Sequence, residues 1–125
     1  MRAQLYDKPP LTVSPSLAAA VGLNEAIILQ QVHYWTQINE QTNKNFADGR
    51  YWVFHTYAAW EKDFPFWCRS TIRNTINRLE ESGLLLSGVY NKMSHDRTKW
   101  YAIDYDKLNQ VIADYESHEA EKATG

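Results

Sequence analysis

The chain has 125 residues and a mass of 14.6 kDa, which suits one hydrophobic core and leaves too little for two. With 44% hydrophobic and 22% charged residues it falls outside the range of disordered chains, and its one cysteine, Cys68, excludes an internal disulfide scaffold. The net charge of −2 excludes a nucleic-acid binder that works by bulk charge alone. No apolar signal core stands in Met1–Asp7, and Leu17–Leu23 is too short to cross a bilayer, so the expected setting is cytoplasmic, with no membrane partner.

Residues 1–13 are expected to form an extended arm, because Pro9-Pro10 forbids a helix. Ser14-Pro15 starts a short helix, Pro15–Val21, that stops at Gly22. Asn24 can cap a longer helix to about Asn39, in which Ile27, Ile28, Val32, Tyr34, Trp35 and Ile38 make a broad apolar face. Residues 40–50 are polar around an Asp48-Gly49 turn and are expected to be an exposed loop. The aromatic, β-branched run Tyr51–His55 predicts a strand. Thr56 caps the next helix, which sets Trp60 and Phe64 on one side and ends at Pro65.

After the Phe66-Trp67 corner, the spacing predicts a helix over Arg69–Ser82, closed by Gly83. Leu84–Tyr90 and Lys99–Tyr105 are two strands joined by the loop 91–98. Asp106 caps a last helix, on which Leu108, Val111, Ile112 and Tyr115 recur as an apolar stripe; the polar residues 116–125 are expected to fray. This order predicts an α+β, mainly helical fold: a winged helix-turn-helix with a small antiparallel sheet and a wing. The arm and short helix occupy residues 1–22, the winged-helix domain 23–115, and a polar tail the remainder. One core is expected to hold Trp52, Trp60, Ile72, Ile76, Leu79, Tyr101 and Ile103.

The charge is unevenly spread. Between Cys68 and Lys99, six basic residues face only Glu80, Glu81 and Asp96, so this stretch is positive while the rest of the chain is negative. At 100° per residue, Ile72, Ile76 and Leu79 share one side of the Arg69–Ser82 helix. Ser70, Asn74 and Asn77 point away from it, flanked by Arg73 and Arg78. Asn pairs bidentately with adenine, Arg with guanine or phosphate, and Ser with either, so this outer stripe is a candidate recognition face. Asn74, Thr75 and Asn77 are also poor helix formers, an odd choice for a merely solvated face. The expected DNA contacts are Arg69, Ser70, Thr71, Arg73, Asn74, Asn77 and Arg78 on this helix, with Lys92, His95, Arg97 and Lys99 on the wing.

No metal, cofactor or catalytic residue is expected. His33, His55, His95 and His118 lack metal-ligand spacing, and no nucleophile–base pair or phosphate-cradling glycine loop is present. Cys68 lies beside Arg69 near a helix start, which lowers a thiol pKa, but without a catalytic His pattern a buried or half-buried thiol is expected. The Trp and Tyr residues have faces on which bases can stack, although their periodic placement assigns most of them to the core.

The segments Gly22-Leu23-Asn24-Glu25-Ala26-Ile27-Ile28-Leu29-Gln30-Gln31-Val32-His33-Tyr34-Trp35, Phe64-Pro65-Phe66-Trp67, Ser70-Thr71-Ile72-Arg73, Leu79-Glu80 with Gly83-Leu84-Leu85, and Asp96-Arg97-Thr98-Lys99-Trp100-Tyr101 occur in that order. Together, over roughly residues 9–108, they resemble the N-terminal winged-helix domain of replication proteins from phages and mobile elements of Gram-positive bacteria, the replisome organisers and DnaD-like primosome proteins. The resemblance implies a domain that binds origin DNA or self-associates, and a C-terminal region that recruits helicase-loading partners. This chain departs from that pattern by ending at Gly125, where such a region is expected to be missing, and by carrying Cys68 where a Ser-type cap is expected. The expected function is therefore double-stranded DNA binding in replication initiation. The alternatives are a winged-helix transcription regulator, or a primosome interaction module that does not touch DNA. A homodimer through the last helix is the favoured fate of its apolar stripe, and packing back on the first long helix is the other.

Overall fold

The computed structural model describes residues 10–93 and 95–124. Residues 1–9 of the expected arm lie outside the described residues; Leu11–Val13 follows without regular structure. Helix α1, Pro15–Val21, starts on the Ser14 hydroxyl, which accepts the Leu17 amide at 3.3 Å. Gly22 closes it at φ +105° and at the same time opens α2, Leu23–Thr42. Glycine suits this junction because its φ of +105° is a conformation that residues with a Cβ rarely adopt. The first long helix is thus capped by the backbone of Gly22, two residues before the expected cap, and not by the side chain of Asn24.

The helix also runs three residues past Asn39. Asn39 is buried, and its carboxamide donates to the Trp52 carbonyl at 2.8 Å, a tertiary bond that outweighs its weak helix propensity. Asn43, in the left-handed region, ends the helix. The expected loop then contains a hairpin: β1, Phe46–Ala47, pairs antiparallel with β2, Arg50–Tyr51, around Asp48-Gly49. The single strand expected over Tyr51–His55 is split for the same reason. Trp52 donates its amide to Asn45 and its indole N–H to the Ala47 carbonyl, whereas β3, Val53–Phe54, turns to a different sheet.

Helix α3, Tyr57–Asp63, is capped by Thr56, whose hydroxyl accepts the Ala59 amide at 3.0 Å. The turn through Phe64–Cys68 leads into α4, Arg69–Glu81, and Gly83 releases the chain into β4, Leu85–Gly88. Strand β5, Trp100–Ile103, lies between β3 and β4, antiparallel to both, with Val53 and Ser87 opposite Tyr101. Both strands of the expected hairpin are shorter than the sequence suggests, and a loop joins them. Helix α5, Tyr105–Thr124, is capped by Asp104, which accepts the Lys107 amide at 3.1 Å. Asp106, the expected cap, lies in the first turn, where its charge suits the helix dipole. The expected fraying beyond residue 115 is not seen: α5 continues through the polar residues to Thr124. Helix α2, β3, the α3–turn–α4 pair and the β4–β5 hairpin form a winged helix-turn-helix. None of the described helices is long and apolar enough to cross a membrane.

The inner face of the sheet meets the helices. Val53, Leu85, Tyr101 and Ile103 share one cluster with Ile28, Leu29 and Val32 of α2, with Trp60 and Phe64, and with Ile72, Ile76 and Leu79 of α4. Burial pushes the Tyr101 phenol well above its ordinary pKa, so it stays neutral. Thr75, counted with Asn74 and Asn77 as a poor helix former, is fully buried; its hydroxyl donates to the Thr71 carbonyl at 2.8 Å, so it carries no unmet hydrogen bond. Trp52 is buried outside the main cluster, beside Tyr90 at 5.0 Å between ring centroids. Gly88 makes this possible, since a Cβ there would come within 2.7 Å of the Tyr90 ring. In α5, Leu108 is buried, and Val111 and Ile112 pack against the core beside α1.

Ile76 makes no polar contribution and is wholly enclosed. Ile76→Ala is expected to cost about 2–5 kcal/mol in urea unfolding. A loss below about 0.5 kcal/mol, the size of an ordinary surface substitution, would mean that α4 is rotated from the orientation described.

Candidate nucleic-acid interface

With Ile72, Thr75, Ile76 and Leu79 turned inward, α4 presents Ser70, Arg73, Asn74, Asn77 and Arg78 to solvent, as expected from the sequence. Asn74 and Asn77 make no side-chain hydrogen bond among the described residues. The Arg73 guanidinium lies 5.8 Å from the centre of the Tyr57 ring, which steers it along the α3 side of the helix. Thr71 is half-buried, its hydroxyl turned to Cys68 at 3.3 Å.

Three of the six expected cations are neutralised within the fold. Arg69 pairs with Glu61 of α3. Arg78 donates to Glu25 of α2 at 2.7 Å and to the Thr75 hydroxyl at 3.3 Å, which ties α4 to α2. Lys99 reaches Glu80 at 3.0 Å, and the other oxygen of that carboxylate accepts from Ser87. Arg73, Lys92 and Arg97 have no carboxylate partner among the described residues. These pairings join residues far apart in sequence, and no local pattern announces Glu25 or Glu61.

The wing, residues 89–99, is organised by Asn91, which sequence reasoning passed over. Its amide donates to the carbonyls of Asp96 and Thr98 at 2.9 and 3.0 Å, and its oxygen accepts the Trp100 indole N–H at 2.7 Å. Asp96 accepts the Thr98 amide, which holds its carboxyl below the usual range. The signal available was the general habit of Asn and Asp to bond to loop backbone. The wing's cations are divided by this arrangement. Arg97 and Lys99 line a cleft of about 480 Å³ together with Arg69, His55 and Tyr57, at the junction of α3, α4 and the sheet. Lys92 lines a different cleft, with Phe54 and Trp100. His95 is exposed on the loop between them. The structure thus brings Arg69, Arg97 and Lys99 together and sets Lys92 apart.

Cys68 occupies the N-cap of α4 with extended backbone angles, and the Ile72 amide donates to its carbonyl at 3.2 Å. The thiol is exposed, contrary to the buried or half-buried placement expected, because the helix start projects from the turn. The hydroxyls of Ser70 and Thr71 and the Thr71 backbone amide stabilise its thiolate and lower its pKa from 9.0 to about 7. Among the described residues, no group of three His, Cys, Asp or Glu side chains is placed to hold a metal ion. No known protein family matches the chain, and no curated protein or solved structure is significantly similar to it.

The thiolate is the nucleophile, so iodoacetamide labelling of Cys68 is expected to rise with pH and reach half its plateau near pH 7. Removing hydroxyl donors destabilises the charged form, so Ser70→Ala should move the midpoint upward, towards that of a free thiol. A midpoint above about 8.5 in the parent, the free-cysteine value, would contradict the described helix start.

Proposed function

We propose that this chain binds double-stranded DNA, with the outer face of α4 in the major groove and the Arg97 side of the wing on the phosphate backbone. The observation that carries the reading is the pair Asn74 and Asn77: two carboxamides on the exposed face of the second helix of a helix-turn-helix, without intramolecular work. Their donor–acceptor geometry suits the N6 and N7 edge of adenine. Arg73, next to Asn74, and Arg97, beside Arg69 at the start of α4, carry charge with no carboxylate partner among the described residues. The role is positional binding in the bacterial cytoplasm, without chemistry on the DNA.

The sequence resemblance adds a setting, the initiation of phage or mobile-element replication, with helicase-loading proteins as further partners and with self-association. A transcription regulator would use the same contacts. The interaction-module reading draws on a specific observation: half of the cations of this face are already paired internally. The low number of free cations gives the DNA reading a quantitative signature, because only unpaired charges release counterions at full value.

Fluorescence anisotropy on duplexes at several salt concentrations tests the proposal. A log–log salt slope of about −2 to −3 is expected from the two or three free cations. Arg97→Ala should weaken all duplexes alike and flatten the slope by about one unit. Asn74→Ala should cost about 1–3 kcal/mol on the preferred site and little on random DNA, since only base contacts discriminate. Equal losses for both variants on both kinds of duplex would remove α4 as a reading helix. Absence of duplex binding by the parent at low salt would favour the interaction module.

A further inference from the structure

The sheet has a second face. Side chains alternate along β3 and β5, so Val53 and Tyr101 enter the core while their neighbours Phe54 and Trp100 project to the opposite side, away from α4. The β1–β2 hairpin covers part of that outer surface through Trp52 and Tyr90, whose hydroxyl donates to Asp48 at 2.6 Å. The part nearest the wing is left open. Phe54 is 43% exposed and stands edge-to-face with Trp100, the centroids 5.9 Å apart and the planes at 79°. Trp35 of α2, 38% exposed, stands across the groove in a similar pair with Tyr34, at 5.4 Å and 78°. In such pairs at most one face of one ring is covered, so Phe54 and Trp35 each keep at least one face outside the contact.

Two clefts meet at Phe54. One, of about 460 Å³, runs along Trp100 to Lys92; the other, of about 320 Å³, runs to Trp35, and Asn45 lines both. Each falls in the range of roughly 300–1,000 Å³ typical of small-molecule sites, so each has room for a planar base. The chemistry of the lining selects among occupants. A docked peptide helix favours aliphatic surface, whereas this groove alternates aromatic rings with polar groups. The Asn45 carboxamide and the Lys92 ammonium have no partner among the described residues. The one carboxylate in the groove, Asp96, accepts the Thr98 amide with one oxygen and stays ionised, so the groove is near neutral overall and Lys92 is its single cation among the described residues.

We infer that this groove binds single-stranded nucleic acid, with bases stacked on Phe54 and Trp35, the Asn45 carboxamide on a base edge, and Lys92 on the backbone. Exposed ring faces are a general means of holding unpaired bases without sequence preference, and here stacking carries the binding while Lys92 supplies one backbone contact. The inference stands on a different face from the duplex reading and does not require it. The wing borders both surfaces, with Arg97 and Lys99 towards α4 and Lys92 towards the aromatic groove, so a strand separated from a duplex beside the wing would meet the groove directly.

The test uses a fluorescein-labelled oligodeoxythymidylate, whose bases cannot pair with one another, and the variants Phe54→Leu and Trp35→Leu. Leucine keeps apolar bulk at these exposed positions but has no ring, so it separates stacking from simple hydrophobic docking. The parent is expected to bind the oligonucleotide, and each variant to weaken binding by about fivefold or more, the loss for one stacked base. Unchanged melting temperatures show that the variants fold. Asn74→Ala should leave oligothymidylate binding intact, whatever it does to duplex binding. The inference is overturned if the parent does not bind, if both leucine variants bind like the parent, or if Asn74→Ala abolishes single-strand binding. It is also overturned if light scattering shows a dimer that Phe54→Lys converts to a monomer, since the groove would then belong to a second copy.

Discussion

The burial of Ile72, Ile76 and Leu79 against Trp60, Tyr101 and the α2 core sets the rotation of α4 about its own axis, and the rest of the interface follows from that rotation. A helix has one angular variable once its axis is placed. Three large side chains on one side remove it, because turning the helix by one residue would put an isoleucine in water and an asparagine in the core, at a cost of several kcal/mol. Thr75 fits the inner side only because its hydroxyl is satisfied by the carbonyl one turn back. The Arg78–Glu25 pair adds a second point of attachment, at the solvent edge where α4 crosses α2. Arg78 is half exposed and Glu25 mostly covered, so the pair fixes where the arginine points.

Charge in this protein is used locally. A net charge of −2 gives no long-range attraction to a polyanion, and the positive stretch from 68 to 99 is half neutralised by carboxylates on α2, α3 and α4 itself. What remains is a few cations placed at the edges of polar or aromatic surface. On the proposed reading, such a surface would discriminate by contact geometry more than by attraction, in keeping with asparagines on the helix and with rings beside Lys92 on the outer sheet face.

Much of this was legible in the chain. The order of elements, the inward stripe of α4 and its exposed asparagines all come from periodicity and punctuation, signals that act within a few residues. The missed features share a cause: each depends on a specific contact outside the helical or strand period, from the Tyr90 ring two residues from Gly88 to the Trp52 carbonyl thirteen residues from Asn39. Helix α2 outruns Asn39 because Trp52 supplies a carbonyl, and the run Tyr51–His55 breaks because Trp52 bonds back to Asn45 and Ala47. Asn91 organises the wing through Trp100, and Gly88 is required by the Tyr90 ring. The site was legible as a set of residue types but not as a set of free charges, since nothing local distinguishes Arg73 and Arg97 from the paired Arg69 and Arg78. Thr75, a poor helix former without an evident reason in the sequence, is explained by burial, since the backbone satisfies its hydroxyl. The aromatic residues divided in the way their periodicity could not resolve: Trp60 and Tyr101 are core, whereas Phe54 and Trp35 are surface.

The central claim is that one face of α4, and no other helical surface, meets duplex DNA. Backbone amide shifts of isotope-labelled protein, followed by NMR during titration with a duplex, test it most directly. The account predicts that the largest changes fall on residues 70–78 and around Arg97, with the amides of α1 and α5 unmoved. Changes concentrated on α5, with α4 silent, would contradict it.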